Sequence, residues 1–150
     1  MDSKALPVID VSAGLVFRAG KLLITKRHDD AHLGGLWEFP GGKLERNESF
    51  EQCLARELHE ELGIEVVIRE LVESDTHHYP ERTVHLKFFR CAWFRHEPQP
   101  LGCVDIAWVG PEELSDYEFP EADASLLEKL RASPELWRNP SKAQAHNSQS

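Results

Sequence analysis

Apolar residues fall in short runs along most of the chain and at helical spacing in two places. Ala13-Gly14-Leu15-Val16-Phe17 and Leu22-Leu23-Ile24 read as strands, and Ala19-Gly20 between them predicts a hairpin turn. Trp37-Glu38-Phe39 predicts a short extended segment, which Pro40-Gly41-Gly42 interrupts. Residues 65–69 and 71–74 are β-branched enough for two further strands. Residues 83–94 predict a longer one. Val84, Leu86, Phe88, Arg90, Ala92 and Phe94 share one face. His85, Lys87, Phe89, Cys91 and Trp93 share the other, which turns apolar only toward its end. Ile106-Ala107-Trp108-Val109 closes the strand series.

Two helices complete the pattern. The first is expected over residues 50–62, with Ser49-Phe50-Glu51-Gln52 as a capping box and Gly63 as the C-terminal stop. The second spans residues 124–131 and turns Leu126, Leu127 and Leu130 inward. This order of elements suits an α/β fold, a mixed central sheet sandwiched by two main helices.

Composition narrows the field. The chain of 150 residues suits one domain, residues 1–138, and the polar stretch 139–150 reads as a disordered tail. Its 17 Lys and Arg against 26 Asp and Glu leave a formal charge of −9. Such a chain gains little from counterion release, so a nucleic-acid polymer is not an expected partner. A small anionic substrate needs local neutralisation, for which a divalent cation is the natural agent. Cys53, Cys91 and Cys103 are odd in number and widely spaced, which predicts free thiols rather than a disulfide framework. With no apolar leader after Met1 and no run of membrane-span length, a cytoplasmic protein without a membrane partner is expected. It is expected to act as a monomer or homodimer.

The first helix carries the chemistry. With about 100° per residue, Glu61 lies about 40° to one side of Glu57 and Glu60 about 60° to the other. Leu54, Leu58 and Leu62 form an adjacent apolar stripe, so the helix can rest on the sheet while aiming three carboxylates outward. Clustered carboxylates repel, and a hard cation such as Mg²⁺ or Mn²⁺ relieves them. Arg56 lies near enough to pair with Glu60. The helix alone is equally consistent with a solvated acidic face.

The flanking residues decide between these readings. Gly42, Glu48, Arg56, Glu57, Leu58, Glu60, Glu61, Gly63 and Ile64 fill every specified position of G, five residues, E, seven residues, R-E-U-x-E-E-x-G-U, where U is aliphatic. In this the chain resembles the Nudix hydrolases. Ile24-Thr25-Lys26-Arg27, Trp37-Glu38-Phe39-Pro40-Gly41-Gly42-Lys43, Tyr79-Pro80-Glu81-Arg82 and Phe119-Pro120-Glu121-Ala122-Asp123 are similar to the MutT-like branch, which sanitises oxidised nucleotides. The resemblance covers roughly residues 8–132.

That resemblance implies a Nudix α/β/α sandwich and attack of water on the β-phosphorus of a nucleoside triphosphate, releasing monophosphate and pyrophosphate. It implies 8-oxo-dGTP as the first substrate to consider, with CTP or a modified cytidine nucleotide as alternatives. It marks Glu57, Glu60, Glu61 and the Gly41 carbonyl as metal ligands. Glu57 is also implied as the base that orients or deprotonates water, with Arg56 fixing the glutamates. Glu48 is read as a structural brace. Arg27, Phe39, Arg82 and Asp123 match positions that line the base and sugar pocket. Each also has a plainer reading: surface charge for the two arginines, core for Phe39, a helix cap for Asp123.

Two departures stand out. Asp123 replaces an Asn, and a carboxylate accepts hydrogen bonds without donating unless protonated. Gly102 stands where many relatives carry another metal-binding Glu, for which Glu97 or Asp105 is a conceivable substitute. A catalytically silent nucleotide-binding Nudix module is the competing reading. The pair His77-His78 reads as solvent-facing loop histidines, and the four tryptophans as core.

Overall fold

The computed structural model describes residues 6–31 and 33–138. Its centre is a mixed sheet of seven strands in which β1 (Val8–Arg18) lies parallel to β6 (Arg82–Arg95). On one side β1 meets β2 (Lys21–Lys26), which pairs with the short β3 (Trp37–Glu38) and with β7 (Asp105–Val109). On the other, β6 forms a long antiparallel hairpin with β5 (Glu65–Tyr79), the sheet's edge. The chain reverses after Phe39, and β4 (Gly41–Lys43) pairs with β1 at Val11, Ser12 and Ala13. The predicted break at Pro40 is thus a redirection into a second short strand.

Helix α1 (Phe50–Leu62) covers one face and α2 (Ala124–Ala132) the other. Alternation along the strands feeds both cores. Val16, Leu23, Phe89 and Cys91 pack with Leu54, Leu58, Leu62 and Ile64. Leu15, Phe17, Leu22, Ile24 and Phe88 pack with Leu126, Leu130 and Trp137. Leu54, Leu58 and Leu62 are fully buried, worth about 1.5–3 kcal/mol each in removed apolar surface. The stripe read from the sequence is therefore what seats α1.

The capping box is formed: Gln52 N–H donates to Ser49 Oγ at 3.0 Å, and Ser49 N–H to Gln52 Oε1 at 2.9 Å. Gly63 closes the helix in the left-handed conformation, its N–H donating to the His59 carbonyl. Buried Ser12 ties sheet to helix by donating to the Phe50 carbonyl at 2.8 Å.

Two expectations for β5 need correction. Residues 65–69 and 71–74 belong to one strand, with register shifts between Ile68 and Leu71 and between Leu71 and Glu73. The irregularity breaks the alternation and makes one strand read as two. His77 and His78 are in that strand, opposite Val84 and Thr83, and not in a loop. The tail expected over 139–150 lies outside the described residues. Among those described, the three thiols are free and no helix is long and apolar enough to cross a membrane.

Candidate active site

Strand β4 and the loop after it lead the chain from the sheet to the start of α1, so Gly41 and Gly42 lie between β1 and the acidic helix. A side chain on Gly42 would run into the Glu57 carboxyl, so only glycine lets that carboxyl rest on the backbone here. Arg56 organises the surroundings. Its Nε and Nη2 donate to the two Glu48 oxygens at 2.5 and 3.1 Å, and its Nη1 to Glu57 Oε2 at 3.1 Å and Glu60 Oε1 at 3.2 Å. Nη2 also reaches the Lys43 carbonyl at 3.2 Å. One guanidinium therefore ties the loop, the helix start and the acid face together, as its fork of donors allows. The hydrogen bond from Arg56 holds Glu48 below the usual carboxylate range, and the same contact holds Arg56 above its own.

Glu61 stands apart from that clamp. Burial and the neighbouring Glu57 carboxylate push it up to about 8, with Glu38 and Glu60 adding to the effect. The backbone of the loop before β7 closes over it. Leu101 and Gly102 N–H both donate to the Glu61 carbonyl at 3.1 Å, and Gln99 N–H to Leu62 at 2.9 Å. Gly102 packs so closely that a Cβ would press on the Glu61 side chain. A glutamate there would need the Glu61 side chain to give by a few tenths of an ångström. The two suggested substitutes are engaged elsewhere: Arg18 holds Glu97 at 2.7 Å, and Asp105 Oδ1 accepts from Ile106 N–H at 2.8 Å.

The other end of the site lies on the α2 face of the sheet. Phe39 is buried, stacked on Phe119 at 5.0 Å and edge-on to Phe88 at 6.0 Å. Asp123 is 7% exposed and sits in the N-cap position of α2, yet makes no capping hydrogen bond. A cap is therefore not what keeps it there. Burial first, then the charges of Glu38, Asp75 and Glu73, push it up to about 7. Arg82 opens β6 opposite Tyr79, and its Nε is buried with no hydrogen-bond partner. Arg27 donates to Glu38 Oε1 at 2.9 Å.

Glu38 is the residue that sequence reasoning missed. Its charge raises the proton affinity of Glu61 at one end and of Asp123 at the other. Its own carboxyl is raised by burial despite the pull of Arg27. The only local signal was a lone acid between Trp37 and Phe39.

A profile of the NUDIX domain matches residues 12–129. The chain belongs to the Nudix family. The CTP pyrophosphohydrolase of Escherichia coli (strain K12) is 39% identical over 127 residues, covering 85% of this chain and 94% of that protein. The 8-oxo-dGTP diphosphatase of the same strain is 32% identical over 124 residues, covering 82% and 96%. Among solved structures, the E. coli ORF135 protein superposes with a TM-score of 0.76 at 38% identity, covering 85% of this chain and 91% of that one.

Nudix hydrolases work with a divalent cation, and the donors present here suit one. Among the described residues no three His, Cys, Asp or Glu side chains form a ready-made cage. Glu57, resting on the Gly42 backbone, and the partly buried Glu61 nevertheless place like charges together, a cost that a cation relieves. Small hard cations are commonly held by one or two carboxylates, with water and substrate phosphates supplying the rest. Glu60 sits at the rim, its side chain 57% exposed and paired with Arg56.

Proposed function

We propose that this Nudix hydrolase is a Mg²⁺-dependent nucleoside triphosphate pyrophosphohydrolase acting on a free nucleotide, with 8-oxo-dGTP and CTP as the leading substrates. The observation that carries the reading is the Glu57–Glu61 pair, with Glu57 resting on Gly42 and held by Arg56, together with the aromatic and acidic cluster of Phe39, Phe119 and Asp123. The first half suits a triphosphate with its metal, the second a base.

In this reading Glu57, Glu61 and the Gly41 carbonyl hold Mg²⁺, and Glu60 contributes from the rim. When bound, the cation neutralises phosphate charge, which is most of what phosphoryl transfer asks of a protein. Glu57 orients the attacking water and takes its proton. The new bond forms between water oxygen and the β-phosphorus, and the bond from that phosphorus to the α–β bridging oxygen breaks. Monophosphate and pyrophosphate leave. Arg56 keeps Glu57 in one rotamer and never touches substrate. Arg27, Phe39, Arg82 and Asp123 serve the base and sugar.

Of the two substrates, CTP draws support from Asp123, since a carboxylate in place of an amide favours a base that donates through an amino group. The guanine of 8-oxo-dGTP also carries such a group. A nucleotide panel that includes both, with UTP and dTTP, assayed for pyrophosphate release in Mg²⁺, tests the proposal. Selective, Mg²⁺-dependent release from 8-oxo-dGTP or CTP is expected. Release of orthophosphate, or no turnover with any triphosphate, would overturn it.

A further inference from the structure

The alternation of β5 places Glu73, Asp75 and His77 on the inward face, while Ser74, Thr76 and His78 are exposed. This inward row lies opposite Phe88, Leu86 and Val84 of β6 in register. Three polar side chains thus continue the sheet face that carries Phe88, beside Phe39 and Asp123.

Glu73 is the most confined of them, at 8% exposure. Its Oε1 meets Lys129 Nζ of α2 at 3.3 Å. Its Oε2 is buried and has no hydrogen-bond partner among the described residues. What surrounds it is more carboxylate: Asp75 on the same strand, close enough for the two carboxyls to share a proton in a hydrogen bond, and Asp123 at the foot of α2. Burial and Asp75 push the Glu73 carboxyl up against the pull of Lys129. A strut between β5 and α2 explains Oε1 alone. A well-packed apolar pair would join the layers without stranding a second acceptor, which is costly at this depth.

Carboxylates facing one another are relieved by a shared proton while the site is empty, and by a donor from outside when a base is bound. We propose that Asp75 and Glu73, together with Asp123, form an acceptor-rich wall of the base-binding end that selects bases carrying an exocyclic amino group over their keto counterparts. Asp75, only half-buried, is the contact. Glu73 is a positioning residue that keeps Asp75 turned inward and is itself held by Lys129. An amino group offers N–H to carboxylate oxygen, whereas a carbonyl in the same place sets acceptor against acceptor. Sites built to hydrogen-bond a donor reject the analogue that lacks it far better than apolar pockets discriminate by size.

This inference rests on the nucleotide reading above, and binding of the monophosphate products separates the two. Calorimetry with CMP against UMP, and with dGMP against dIMP, needs no turnover. The wild-type chain is expected to favour the amino member of each pair by about tenfold or more. Asp75→Asn is expected to remove most of that ratio and Glu73→Gln part of it, a change in selectivity that a merely structural strut would not produce. Asp75 lies on an edge strand, so its variant carries the test if Glu73→Gln fails to fold. Equal binding within each pair by the wild type, or ratios within about twofold of wild type in folded variants, would overturn the proposal. Selective product binding without hydrolysis of any triphosphate would instead sink the hydrolase reading and leave the wall standing.

Discussion

The site has two acidic ends built from the same side chains under different constraints. At the α1 end, Arg56 donates to Glu48, Glu57 and Glu60, and the carboxylates are arranged around one cation of the protein's own. At the α2 end Asp123 makes no capping hydrogen bond, and carboxylates surround it. Arg27 and Lys129 stand at its margins, on Glu38 and Glu73. The difference teaches where each cluster finds its counter-charge. The first is an anionic surface whose carboxylates are held in place by one guanidinium. The second has its proton affinity raised instead, so its carboxyls release their protons at higher pH than usual.

Breaking the first end should have the largest effect. Glu57→Gln keeps the size of the side chain but removes the charge and the proposed proton acceptor, and is expected to lower kcat about 10²- to 10⁴-fold. Thermal melting should show the fold retained, because the seating of α1 depends on Leu54, Leu58 and Leu62.

The second end predicts a pH effect of opposite character. Asp123 in the folded chain titrates at about 7 against an ordinary 3.8. Its protonated state stabilises the fold relative to the unfolded chain fully below about pH 4, and that contribution is lost as pH rises through about 7. Asp123→Asn should therefore be more stable than wild type at pH 8, by about 4 kcal/mol, with the gap closing toward pH 4. Urea unfolding at the two pH values measures it. Parallel stability curves for the two proteins would contradict the assignment.

A smaller effect sharpens the role of Arg56. Lysine keeps the charge but cannot bond Glu48, Glu57 and Glu60 at once. Arg56→Lys is expected to lose activity or metal affinity by about 10- to 100-fold. Partial recovery at high Mg²⁺ would show the loss to be one of glutamate positioning, and full activity at low Mg²⁺ would refute it.

How legible each end was in the sequence follows from the same contrast. The α1 end is local: Gly42, Glu48, Ser49 and the helix lie within one stretch, and the 3.6-residue period places the acids relative to the leucines. Its helix, its caps and the pairing of Arg56 with Glu60 could be anticipated, whereas the bond from Arg56 to Glu48, read only as a separate brace, could not. The α2 end is assembled from β3, β5 and the foot of α2, which meet only through sheet pairing. Glu38 gave no sign that Glu61 and Asp123 would be its neighbours. The inward row of Glu73, Asp75 and His77 was hidden because the register shifts around Leu71 made β5 look finished before it began to matter. Gly102 was visible as a departure, but its close packing on Glu61 was not.

The division of labour between the two ends is tested most directly by measuring kcat/KM for CTP, UTP and 8-oxo-dGTP with Glu57→Gln and Asp123→Asn side by side. Glu57→Gln should depress all three substrates by a similar factor and leave their ratios intact. Asp123→Asn should change the ratios while leaving measurable turnover. Selectivity altered by the Glu57 change with turnover near wild type, or uniform loss from the Asp123 change, would contradict the account.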